Sequence, residues 1–304
     1  MTVKGDRKCR VRVFLALAMA MAGALAVSTV RAEWADIIAD VSLELLHTDN
    51  LNQSAFNADM ESDTGIVPRL SLGRYYQAND LTRVRLTVDL SAEHYDEFDK
   101  LDSVTAMAGV VLQHKFGIGP QKPWLRAGLA FGRKDAEVGI RDSDLIEASL
   151  RTGKRLSERM DGSLGFRYFR RDGGTGVAIE PGIGGNVFDI NNWSVDGTLN
   201  YLLTDKSLLS ATYTYRNGEF DSACTPGNVG TVLANENVRA ITLDDVFGGC
   251  VYRLDGNSDS LYVNYGYALG HHAALNAGIE YRNGKADVLG YETTIFRISL
   301  NYSY

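Results

Sequence analysis

The chain has 304 residues, with 31 Lys and Arg against 38 Asp and Glu, a formal net charge of −7. That balance argues against nucleic acid as a partner, because a protein that neutralises phosphates needs a basic surface. Tyr is abundant at 15 and Pro scarce at 5, which favours strands, and no apolar run of 18 residues follows residue 32, which excludes a helical membrane protein.

Taken from the start, the first segment reads as a leader. Lys4, Arg7, Lys8, Arg10 and Arg12 form a basic region, Val13 to Val27 is apolar, and Val30-Arg31-Ala32 is a small-x-small cleavage pattern. The expectation is a secretory signal peptide over 1–32 and one domain over 33–304. Without the leader the chain keeps 25 basic and 37 acidic residues, a net of about −12. Cys9 leaves with it. Cys224 and Cys250 remain, in a region that reads as a loop, and an oxidising compartment would pair them. Such a disulfide stabilises by about 3 kcal/mol in the chain-entropy model.

The rest of the chain alternates with period two. Val84, Leu86, Val88 and Leu90 alternate with Arg83, Arg85, Thr87 and Asp89, and Phe296, Ile298, Leu300 and Tyr302 alternate with Arg297, Ser299, Asn301 and Ser303. Each strand therefore has one apolar and one polar face. The pattern predicts strands over 37–48, 65–77, 82–95, 103–116, 122–133, 143–154, 159–171, 188–202, 207–216, 258–269, 273–283 and 291–304. At roughly 10 to 14 residues they exceed the 5 or 6 usual in soluble proteins and suit a tilted membrane span.

Connections alternate too. Asn79-Asp80, Gly117 to Gln121, Arg155 to Glu158, Thr204 to Lys206 and Gly270 to His272 are tight, and those between them are longer, up to Asn217–Asn257. Short periplasmic turns and long outer loops characterise outer-membrane barrels. The predicted fold is all-β: a closed antiparallel transmembrane β-barrel of twelve strands, with both termini periplasmic. Val246 to Leu254 leaves an alternative open, as a hairpin of the outer loop or as strands of a fourteen-stranded barrel. Tyr75, Tyr76, Trp124, Trp193, Tyr201, Tyr302 and Tyr304 are the expected interfacial aromatics. Pro68 removes a ladder donor near the outer end of its strand.

With its leader, alternating strands and terminal Tyr302-Ser303-Tyr304, the chain resembles bacterial outer-membrane β-barrel proteins. The resemblance implies a last strand read by the barrel assembly machinery, with Tyr304 where Phe is commoner. His47-Thr48-Asp49-Asn50-Leu51 resembles the opening of barrels associated with exopolysaccharide export. Outer-membrane lipid and lipopolysaccharide are the implied surroundings.

Parity points many charges into the lumen. Arg69, Arg83, Arg85, Lys115, Arg126, Arg151, Arg167 and Arg297 are the cations, and Glu44, Asp89, Glu93, Glu147, Asp161, Asp196 and Glu280 the anions. They either steer a solute or cross-link a closed lumen. Glu44 and Arg297 are predicted to meet where the first and last strands join. The outer loops are acidic at Asp59, Glu61, Asp63, Asp96, Glu97, Asp99, Asp102, Asp244 and Asp245, read as solvated charge. No cofactor or metal motif is present.

Three functions fit. The leading one is a porin-like passive channel for ions or small polar solutes, saccharides among them. The second is a non-conducting accessory barrel of an envelope or polysaccharide-export system. The third, a lipid hydrolase, would need His47 or His94 at the outer rim beside a nucleophile.

Overall fold

Alternation becomes a cylinder because each strand can satisfy its backbone only by pairing on both sides. The computed structural model describes residues 33–304; the leader expected over 1–32 lies outside them. The strands are β1 (Glu33–Thr48), β2 (Asp63–Asn79), β3 (Thr82–Tyr95), β4 (Ser103–Lys115), β5 (Trp124–Ala136), β6 (Ser143–Arg155) and β7 (Met160–Gly173). They continue with β8 (Ile190–Thr204), β9 (Ser207–Cys224), β10 (Val238–Asp244), β11 (Gly249–Ala268), β12 (Ala273–Ala286) and β13 (Leu289–Ser303). Among the described residues one short α-helix, α1, spans Val229–Leu233.

Every neighbouring pair is antiparallel. β9 pairs with β11, and β13 returns to β1, so twelve strands close a ring and β10 stands outside it. With all edges consumed, no ladder group of the wall needs water, which hydrocarbon requires. The apolar faces point outward: Leu43 is 48% exposed, Val88 52%, Leu164 63% and Ile298 53%. A continuous apolar belt of this kind is what lipid covers.

Strand bounds differ from the predicted ones mostly at the long-loop end. β9 and β11 run on together past the rim, with Leu254 opposite Phe220 and Cys250 opposite Cys224. The two cysteines thus lie on paired strands, not in a loop, and form a disulfide with Cα atoms 5.1 Å apart. β10 adds to the other side of β11, so Val246 to Leu254 belongs to a hairpin of the outer connection and the ring keeps twelve strands. β12 and β13 also extend, leaving Asp287 and Val288 as a tight turn where a longer loop was expected. Pro68 faces Leu43 on β1, while the β2–β3 ladder skips from Ile66 to Arg69, so the missing donor falls in a gap.

Above the rim the β9–β11 extension passes through facing glycines, Gly218 and Gly256. Gly218 has φ +125, a conformation that L side chains rarely adopt, and a Cβ on Gly256 would lie 2.2 Å from the Lys285 carbonyl oxygen. Beyond these glycines the arm packs a core of its own, with Val232, Ile241, Cys250 and Tyr252 fully buried. Burial pushes the Tyr252 hydroxyl up to about 12, and Ser222 donates to it at 2.9 Å.

Candidate functional site: the lumen and its cap

The arm reaches every other outer connection. Ala223 N donates to Asn52 O (3.0 Å) in the first loop, and Ile241 N to Gly184 O (2.9 Å) in the loop after β7. Phe220 meets Tyr291 beside the β12–β13 turn, ring centroids 5.5 Å apart. Arg141, after β5, pairs with Asp244 at 2.9 Å, both buried. Lys100, between β3 and β4, donates to Asp245 O at 2.8 Å, and Phe98 packs against Phe247 in a tilted pair, centroids 4.9 Å apart. In a twelve-strand ring the β3–β4 junction is six strands from the β9–β11 junction either way. The arm therefore spans the mouth from one wall to the opposite one and forms a cap.

Of the loop acids read as solvated charge, Glu61, Asp96, Glu97, Asp99 and Asp245 are indeed exposed, but for three the reading is corrected. Asp59, Asp63 and Asp244 are buried. Asp63 accepts from Phe98 N at 3.0 Å and from Glu97 N at 3.2 Å. Asp59 accepts from Asn228 Nδ2 at 2.7 Å and from Thr225 N and Oγ1 at 3.1 and 3.0 Å. Burial raises the Asp59 carboxyl, but these donors prevail and hold it below its ordinary value. Asp59 and Asp244 thus fasten the cap, while Asp63 ties the β3–β4 loop to the start of β2. Among the described residues no group of three His, Cys, Asp or Glu could hold a metal.

Beneath the cap the inner face is crowded and mostly paired. Arg297 Nη1 lies 3.2 Å from Glu44 Oε1, and Arg69 Nη2 3.3 Å from the same oxygen. Arg297 also reaches Glu280 at 3.1 Å, and Arg282 reaches Glu280 at 2.7 Å. The network crosses four strands and the β1–β13 seam. Elsewhere Lys134 meets Glu93 at 2.8 Å and Arg167 meets Glu147 at 2.6 Å. Arg151 on β6 reaches Asp196 on β8 at 2.7 Å over β7. A Cβ at Gly165 would lie 2.4 Å from the Asp196 carboxylate, so a side chain there would push this pair aside. Asp89 accepts from Thr87 (3.0 Å) and Asp161 from Asn200 (2.9 Å). Lys115 ends β4 opposite Trp124, exposed at the short-turn end.

Toward that end the pattern changes. Arg83 Nη2 and Arg126 Nε both donate to Gln113 Oε1, at 3.1 and 2.9 Å. Tyr75 lies under Arg83 at 4.8 Å and Trp124 under Arg126 at 4.5 Å. These two aromatics serve the inner face and not the lipid interface where they were expected. Trp34 with Tyr76, and Trp193 with Phe166 and Tyr215, do form outer-face clusters.

Two cavities of about 400 Å³ each occupy the lumen. One adjoins the Arg83–Gln113–Arg126 group, the other lies under the arm near Phe220 and Asp221, and both touch Glu147 and Arg167. The parity reading stopped short of Lys134, Arg171, Arg216 and Arg282. Their faces follow from the same alternation, but they lie at or beyond the strand ends placed by sequence, or beside acids already assigned. At the rim, His94 Nδ1 contacts Asp102 and His47 Nδ1 lies 3.1 Å from Thr64 Oγ1. Among the described residues no hydroxyl hydrogen-bonds to His94.

No known protein family matches the sequence. No curated protein matches it either. Solved structures do. An outer-membrane channel from Pseudomonas putida F1 aligns with a TM-score of 0.57 at 10% identity, over 91% of this chain and 100% of that one. The KdgM porin in complex with disordered oligogalacturonate aligns at 0.45 and 9% identity, over 87% of this chain and 99% of that one. At such identities the likeness carries the fold alone, and the fold is that of an outer-membrane β-barrel.

Proposed function

We propose that this chain is a porin-like passive channel of the bacterial outer membrane, for ions and small polar solutes, with an outer entrance narrowed by its cap. The observation that carries the reading is the lumen itself: two adjoining cavities on a charged inner face. A wall built only for rigidity gains nothing from unfilled polar space, whereas a water-filled path for solutes requires it. Capping selects for small solutes. Both termini and the short turns face the periplasm, and the long loops face outward toward lipopolysaccharide. The last strand, ending in Tyr302 and Tyr304, is the segment the assembly machinery reads.

Purified protein in a planar bilayer tests this: stepwise single-channel currents are the expected result. Their absence at high protein loading would overturn it in favour of a second reading, a non-conducting accessory barrel. One feature favours that alternative, namely the arm's attachment to all five other outer connections.

A further inference from the structure

The geometry points to an oxyanion-binding site at the short-turn end of the lumen, made by Arg83, Arg85 and Arg126. Three observations support it. First, the cations are unequally served. Arg69, Arg282 and Arg297 share Glu44 and Glu280, while Arg151 and Arg167 each have an acid. Among the described residues, Arg83, Arg85 and Arg126 have no carboxylate partner. Second, Arg83 and Arg126 converge on one neutral oxygen, Gln113 Oε1, at 3.1 and 2.9 Å. Two like charges brought to one amide leave most of their donors free and repel each other, which a bound anion relieves. Arg85 Nε is buried without a hydrogen-bond partner, so a donor stands unsatisfied at the same cavity. Third, the Tyr75 and Trp124 rings lie under the two guanidinium groups at 4.8 and 4.5 Å. Stacking holds each fork in place before any ligand arrives, reducing the entropy lost on binding.

The cavity of about 400 Å³ that these groups line has room for a small solute. Guanidinium forks match carboxylate and phosphate oxygens in pairs, so the ligand class is a small solute bearing such groups. As a statement about what the protein passes, this rests on the channel reading; as a binding site it can be measured separately.

Trp124 supplies the readout. In a Trp34→Phe/Trp193→Phe background it is the one tryptophan left, and its emission is followed in the full chain in detergent. Citrate and inorganic phosphate are the two probes, with raffinose as the neutral control. Saturable change with either anion and none with raffinose is expected. Gln113→Glu sets a fixed carboxylate between Arg83 and Arg126 at nearly unchanged volume, and should weaken anion binding at least about tenfold. No saturable change in a barrel whose heat-dependent gel mobility shows it folded would overturn the site, as would a Gln113→Glu protein that titrates like its parent. Bilayer currents under a KCl gradient separate the two proposals. If no current passes yet Trp124 still titrates with citrate, the channel reading falls and the site stands. Current without titration gives the reverse.

Discussion

Arg297 on the last strand reaches Glu44 on the first, Nη1 to Oε1 at 3.2 Å, across the seam where the cylinder closes. Arg69 shares the same carboxylate oxygen at 3.3 Å. Glu44→Gln leaves both cations without that charge, and the expected cost is about 1–3 kcal/mol. Urea unfolding followed by heat-dependent gel mobility measures it. Combining Glu44→Gln with Arg297→Met should cost less than the sum of the two single changes, because one residue's loss strands the other. Strict additivity would show that the pair is not coupled.

The cap should respond to reduction while the wall does not. Between Cys224 and Cys250 the lone basic residue is Arg239. Trypsin should spare it in the oxidised protein and cut after it once the disulfide is reduced or replaced by Cys224→Ser/Cys250→Ser. The lost constraint is about 3 kcal/mol, concentrated in the arm. Equal cleavage before and after reduction would mean the cross-link does not hold the arm down.

Asp244→Ala removes one half of a buried pair and leaves Arg141 charged without its partner, a loss of about 3–5 kcal/mol in comparable sites. The far end of the arm should then detach from the rim. Cleavage at Arg239 should rise with the disulfide intact, and any single-channel current should increase. An unchanged current alongside increased cleavage would place the constriction below the arm.

Asp59 gives the cap a pH dependence of defined sign. Its carboxyl is held below the ordinary value, so its contribution is complete above the unfolded value near 3.9 and is lost as pH falls through the lowered one. Protection of the Thr225 amide against hydrogen exchange, corrected for intrinsic rates, should decline below about pH 4. Asp59→Asn should show lower protection at neutral pH and a flatter profile. A wild-type profile as flat as the variant's would dismiss the linkage.

The wall was legible because lipid and lumen impose opposite chemistries on successive residues, and Val84 to Leu90 records both. Even the seam pair followed from parity and depth. The arm was not legible for the converse reason: Cys250, Val251 and Tyr252 are consecutive and all buried, since this part of β11 lies within a small core and not between oil and water. Its fastenings are equally hidden, as Arg141 and Asp244 stand 103 positions apart. For Tyr75 and Trp124, an aromatic near a strand end suggested an interface, whereas their parity placed them beside Arg83 and Arg126.

Near and far contacts along the arm differ in what they require of the ring. Cys224 and Cys250 sit on strands that are neighbours in the wall, so their ladder and cross-link can form as a local hairpin at small loop-closure cost. The tip, by contrast, finds Lys100 and Phe98 only after the distant β3–β4 corner has been brought round. The arm is thus a beam whose own frame needs only two neighbouring strands, while its seating reports that the circle beneath it is complete.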